Sequence, residues 1–159
     1  MNYKKTYQPT KGYTKLCVKG ECSLQELEFG IIELGGGESL LFETGETETA
    51  FVILSGKADF AMEKAEWKGV GQRRSVFEGR ACTVYAPRRN QVKITGVFHV
   101  KIAVCQVQVE TDTEPQLIQP EAVRVVTLGV KPWERETHFI MEEGCNARKL
   151  CIGEAFVTP

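Results

Sequence analysis

Arginines and a glutamate crowd together at two places in this chain, in patterns suited to holding an anion. Arg73 and Arg74 precede Glu78, and Arg88 stands beside Arg89. A guanidinium is planar and presents several N–H donors, so it can take both oxygens of a carboxylate at once, which an ammonium cannot. The expected ligand of such a cluster is a small carboxylate, with Arg73, Glu78 and Arg88 as contacts. The competing use of the same residues is ion pairing at a rim or a subunit contact. Glu43 is a further candidate, as a base or as a partner for ligand hydroxyls, although with Glu38, Glu46 and Glu48 it forms an acidic run equally suited to a solvated edge. The two histidines, His99 and His138, could shuttle a proton, but each stands away from any other ligand type, where a structural role is commoner. Trp67 and Trp133 could stack on a ring, with core or interface packing as the ordinary alternative.

Metal chemistry is poorly provided for. Cys17 and Cys22 are separated by four residues and Cys145 and Cys151 by five, wider than the ligand pairs of structural zinc sites. The six cysteines are spread through apolar runs, and the N-terminal stretch is polar and basic with no apolar segment behind it, so reduced, mostly buried thiols are expected in a cytoplasmic protein. No metal or other cofactor is expected. A net charge of −1 offers no field for nucleic acid or an anionic membrane, and neither is an expected partner.

These residues must be positioned by strands. Short apolar runs broken by Gly, Pro and polar clusters dominate, and no long window has helical periodicity. Strands are predicted over 15–18, 27–34, 39–43, 49–54, 57–62, 73–77, 82–86, 91–94, 98–109, 122–128, 137–141 and 149–157. Alternation of Val92 and Ile94 with Gln91 and Lys93, and of Ile102 and Val104 with Lys101 and Ala103, predicts sheets with one buried and one wetted face. Gly56 is expected to make a tight reversal at positive φ. Gly35, Gly36 and Gly37 lead into a strand rather than a helix, which removes the phosphate-cradle reading. The fold class is all-β: one domain over 1–159, with a jelly-roll barrel at about 15–109, a crossing loop at 110–121 holding Pro115 and Pro120, and a strand extension at 122–159.

Residues 37–56 have the spacing of a cupin metal motif, with glycines at both ends and Glu43, Gly45 and Thr49 where two histidines and a glutamate would stand. In the second motif Val92 occupies the place of the last histidine. The chain thus resembles a cupin without metal ligands. Beyond this spacing, Gly71, Arg73, Ser75, Val76, Phe77 and Glu78, followed by Val84, Tyr85, Pro87 and Arg88, resemble the 5-deoxy-glucuronate isomerase family, and the likeness continues through 114–129 and 135–159. That family has two cupins in a chain nearly twice as long, with the metal in the second. The resemblance therefore implies the metal-free N-terminal cupin of a sugar-acid aldose–ketose isomerase of inositol breakdown. Such a unit is expected to be inactive alone, and to be either a homo-oligomer or the partner of a metal-bearing cupin. A metal-free module that binds a sugar acid, or an assembly module, are the alternative readings.

Overall fold

The structure, a computed structural model, describes residues 6–20 and 24–157. Its strands in chain order are β1 (Gly12–Cys17), β2 (Leu27–Leu34), β3 (Ser39–Glu43), β4 (Thr47–Ser55), β5 (Ala58–Met62), β6 (Ala65–Val70), β7 (Thr83–Ala86), β8 (Gln91–Gly96), β9 (Val100–Gln108), β10 (Gln116–Ile118), β11 (Arg124–Leu128), β12 (Arg135–Met141) and β13 (Ile152–Val157). A six-stranded sheet in the order β1-β2-β9-β4-β7-β10 faces a four-stranded sheet in the order β3-β8-β5-β6, and β11-β12-β13 form a third. The predicted jelly-roll architecture is present as these two facing sheets.

β8 shows why the sheets face each other. Val92, Ile94 and Gly96 are buried while Gln91 and Lys93 are exposed, so the strand has one dry face. That face joins Phe42, Phe51, Phe60, Ile53, Ile102 and Val104 in a core between the two sheets. The Phe42 and Phe51 rings meet edge to face at 5.2 Å, and Phe51 lies 5.7 Å from Phe60. Three aromatic rings in contact leave the interior packed with side chains.

The six-stranded sheet has no wetted face at its centre. Ala50, Val52, Tyr85, Ala103 and Val107 point away from the first core and join Ile118, Ile140, Met141 and Leu150 in a second. Ala103, expected on a wet face, is only 7% exposed. Burial on both sides explains why β4 runs Ala50-Phe51-Val52-Ile53 without alternating, as a strand covered on two faces does. The third sheet is what supplies the cover.

Three sequence expectations are revised here. No strand forms over 73–77: Gly71 and Gly79 take φ of +108° and +85°, the Glu78 N–H bonds the Ser75 carbonyl, and the segment is a loop. The crossing loop is partly regular, since β10 adds to β7 and a 3-10 turn spans Pro120–Ala122. Cys17 is disulfide-bonded rather than reduced, whereas Cys82, Cys105, Cys145 and Cys151 are free. Cys22 lies outside the described residues. The reversal at Gly56 is as predicted, with φ +84°, and a Cβ there would collide with the His99 carbonyl. Among the described residues no helix is long and apolar enough to cross a membrane.

Candidate functional site

The positions of the cupin frame do not converge on a metal. Glu43 ends β3 on the exposed face and bonds Gln91 across the strand pair at 2.6 Å, while Phe42 beside it points inward. Thr49 faces the interior and is fully buried, 3.3 Å from the Thr47 hydroxyl. Val92 is an apolar core residue. Next to Thr49 a neutral chain runs from the Tyr13 hydroxyl to Gln106 Oε1 at 3.3 Å, from Gln106 Nε2 to Thr47 Oγ1 at 2.9 Å, and from the Thr47 hydroxyl to the Thr44 carbonyl at 2.7 Å. Burial, then the negative charge of Glu28, pushes the Tyr13 hydroxyl up to about 12, so it stays protonated at neutral pH. Hydroxyls, an amide and a valine do not make a donor set for a divalent cation. Among the described residues no group of three or more His, Cys, Asp or Glu could hold a metal.

The four candidate site residues lie in separate environments. The Arg73 side chain is 2% exposed and is consumed by the fold: Nε donates to the Ile53 carbonyl at 2.9 Å, Nη1 to Glu154 Oε2 at 2.8 Å and to the Gly79 carbonyl at 3.3 Å, and Nη2 pairs with Glu154 Oε1. Glu78 is exposed and pairs with Arg74, not Arg73. Arg88 is 12% exposed and donates to Asp112 at 2.5 Å and to Glu46 at 3.3 Å, with Arg89 gripping the same Glu46 from φ +59°. Glu43 lies on the outer face of the four-stranded sheet. The structure therefore does not bring Arg73, Glu78, Arg88 and Glu43 to one site.

Glu48, assigned above to a solvated acidic run, is fully buried. On β4 it points into the second core, where the Tyr85 hydroxyl donates to Oε2 at 3.0 Å and the backbone N–H of Arg148 to the same oxygen at 2.8 Å. The N–H groups of Lys149 and Leu150 both reach Oε1 at 2.7 Å. Three successive amides cradle the carboxylate as a backbone nest does an anion. The sequence signal was the placement of Glu48 in step with Ala50 and Val52, on the same face of one strand.

Glu33 lies beneath the N-terminal segment. Tyr7 donates to its Oε1 at 2.7 Å, Lys101 Nζ lies 3.1 Å away, and His99 Nε2 is 3.9 Å from Oε2. Burial alone would raise its pKa, but the Tyr7 hydroxyl and the Lys101 ammonium outweigh this and hold it below the usual 4.5. A depressed folded pKa contributes stability that is complete above the unfolded value and disappears as pH falls through the folded one. Glu33→Gln is therefore expected to flatten the acid limb of stability below pH 4.5. Urea unfolding across a pH series measures this; a mutant limb parallel to that of the wild type would refute it.

Comparison with known proteins places this geometry. A model of the KduI/IolB family matches residues 3–159. The chain belongs to the KduI/IolB family. Relatives include 5-deoxy-glucuronate isomerase of Geobacillus kaustophilus, 31% identical over 129 residues covering 80% of this chain and 47% of the relative. That of Bacillus licheniformis is 26% identical, covering 87% and 52%. The chain thus spans about half the length of these KduI/IolB relatives. The IolB-like protein of Salmonella typhimurium superposes with a TM-score of 0.89 at 25% identity, covering 96% of this chain and 59% of the other. In this KduI/IolB chain the stretch from Gly71 to Glu78 forms the loop that Arg73 ties down. Within the stretch that carries the resemblance, Arg73 is therefore a structural clamp between the facing sheets and the third sheet, whereas Phe77 and Glu78 are exposed.

Proposed function

We propose that this chain serves sugar-acid aldose–ketose isomerisation as a metal-free cupin, with the proton transfer carried out by a metal-bearing cupin. One observation carries the reading: the frame that would hold a metal presents Thr49 and Val92 to an interior filled by Phe42, Phe51 and Phe60. A catalytic metal polarises the substrate carbonyl and stabilises the enediolate formed when the α-proton leaves. Nothing at Thr49, Gln106 or Tyr13 replaces that function. The relatives named 5-deoxy-glucuronate isomerase are about twice as long, which leaves length in them for a second unit. The chain then works in the cytoplasm, in an oligomer or in complex with the metal-bearing cupin.

The test is an isomerase assay on 5-deoxy-glucuronate with the purified chain alone, with added divalent metal, and mixed with the remaining half of a relative. Turnover is expected only in the mixture, at a rate above that of the added half by itself. Metal-dependent turnover by this chain alone, with bound metal near one per chain, would overturn the proposal.

A further inference from the structure

The most exposed large apolar side chains among the described residues gather at one end of the third sheet: Phe77 at 83%, Trp133 at 78%, Val130 at 75% and Val157 at 69%. Val130 and Trp133 stand at the tip of the hairpin between β11 and β12, and Val157 pairs with Arg135 at its base. Phe77 lies 6.2 Å from Phe156, which pairs with Glu136 one step further along the same strands. Apolar side chains left in water in such a concentration mark a surface made to be covered.

The hairpin tip presents a knob. The Trp133 N–H donates to the Val130 carbonyl at 2.7 Å, and Gly129, at φ +87°, passes so near the Trp133 carbonyl that a Cβ would stand 2.5 Å from it. This tight reversal fixes the backbone from which the indole projects, with Lys131 on one side of it in the chain and Glu134 on the other. An anchor held in place before binding loses little freedom when it is buried.

Beside the knob lies a hole. The loop after β6 and the inner face of the third sheet enclose a cleft of about 450 Å³, walled by Val76, Phe77, Val125 and Phe156, with Arg80 and Glu136 also lining it. Arg80 Nη1 donates to the Val123 carbonyl at 3.1 Å, and Glu136 Oε1 lies 2.8 Å from His138 Nε2, so both charges are oriented. Trp133 of the same chain does not line the cleft. Charge matches the two parts: an indole between Lys131 and Glu134 meets apolar walls between Glu136 and Arg80. Among the described residues Lys131, Glu134 and Arg80 take no part in an ion pair, which leaves them for a partner.

We propose that Trp133 of one copy of this chain enters the cleft of a second copy, with Glu134 meeting Arg80, and that the second copy's tip enters the first in return. Knob and hole on one chain, neither filled by the other, are what a self-complementary two-fold contact requires. A buried tryptophan beside an arginine is also the commonest kind of anchor at the centre of an interface. The inference goes beyond the isomerase reading, since it needs neither metal nor substrate, and it specifies the contact that would join copies in an oligomer.

Sedimentation velocity over about 1–100 µM chain tests it. A monomer–dimer equilibrium with a micromolar dissociation constant is expected. In a Trp67→Phe variant Trp133 is the one tryptophan left, and its emission should move to shorter wavelength over the same concentration range. Trp133→Ala is expected to weaken the dimer about thirtyfold or more, and because the side chain is exposed the urea midpoint of the monomer should not move. Arg80→Glu and Glu134→Arg should each weaken the dimer, whereas the two together should recover most of the loss. A chain that stays monomeric at about 100 µM, a dimer indifferent to Trp133→Ala, or a double charge exchange no tighter than either single one would each overturn the proposal. So would a Trp133 emission shift that appears only when the remaining half of a relative is added, because the occupant would then be the metal-bearing cupin. None of these readouts uses turnover, so this contact and the isomerase reading fail separately.

Discussion

Glu48→Ala is expected to lower the free energy of unfolding by about 4 kcal/mol, a large share of the 5–15 kcal/mol of an ordinary domain. The substitution leaves the N–H groups of Arg148, Lys149 and Leu150 and the Tyr85 hydroxyl facing a void in the second core. Each donor left buried without a partner costs roughly 1–3 kcal/mol, offset in part by the desolvation of the carboxylate that is no longer required. Glu48→Gln should fall between. Its amide oxygen can keep the Lys149 and Leu150 bonds and Tyr85 can turn to accept, but an NH₂ then confronts the Arg148 N–H, donor against donor. Urea unfolding of the three proteins gives the order wild type, Gln, Ala. Hydrogen exchange should show residues 148–150 losing protection first in the alanine variant. If Glu48→Ala unfolds within about 1 kcal/mol of the wild type, the carboxylate is not what holds the third sheet's approach to β4.

Much of the fold was legible because β3, β4, β8 and β9 carry patterns that only strands satisfy, and because Gly56 marks a turn that tolerates no Cβ. What escaped was everything that depends on a third layer. Continuous apolar runs such as Ala50-Phe51-Val52-Ile53 announce burial on two faces, yet they do not say what covers the second face, and the alternation around Ala103 pointed to water. Charged residues suffered most from this. Glu48 and Arg73 read as surface groups beside acidic and basic neighbours, whereas each is buried by the third sheet and answered by partners about 100 and 81 residues away. Sequence proximity paired Arg73 with Glu78; space paired it with Glu154. The emptied cupin frame was the reverse case, since the identities of Thr49 and Val92 alone were enough to remove the metal donors.

Arg73→Met is the companion experiment, because Arg73 and Glu154 form a buried, charged tie between the facing sheets and the third sheet. Methionine leaves Glu154, whose side chain is 16% exposed, without its bidentate partner, and leaves the Ile53 and Gly79 carbonyls without their donor. Breaking one side of a buried ion pair costs about 3–5 kcal/mol, and the lower end applies here because Glu154 keeps some contact with water. Arg73→Lys should recover little of this, since an ammonium cannot span two carboxylate oxygens and the Ile53 carbonyl together. The decisive variant is the double substitution Arg73→Met with Glu154→Leu. It removes both charges from a dry site and should be more stable than Arg73→Met alone, even though it carries one more change. Equilibrium unfolding of wild type, both single variants and the double variant closes a mutant cycle, in which a coupling near zero would mean the pair contributes nothing as a pair. A large coupling, together with faster exchange of the amides at 76–80 in Arg73→Met, would show the ion pair holding the loop in place as well as the sheet.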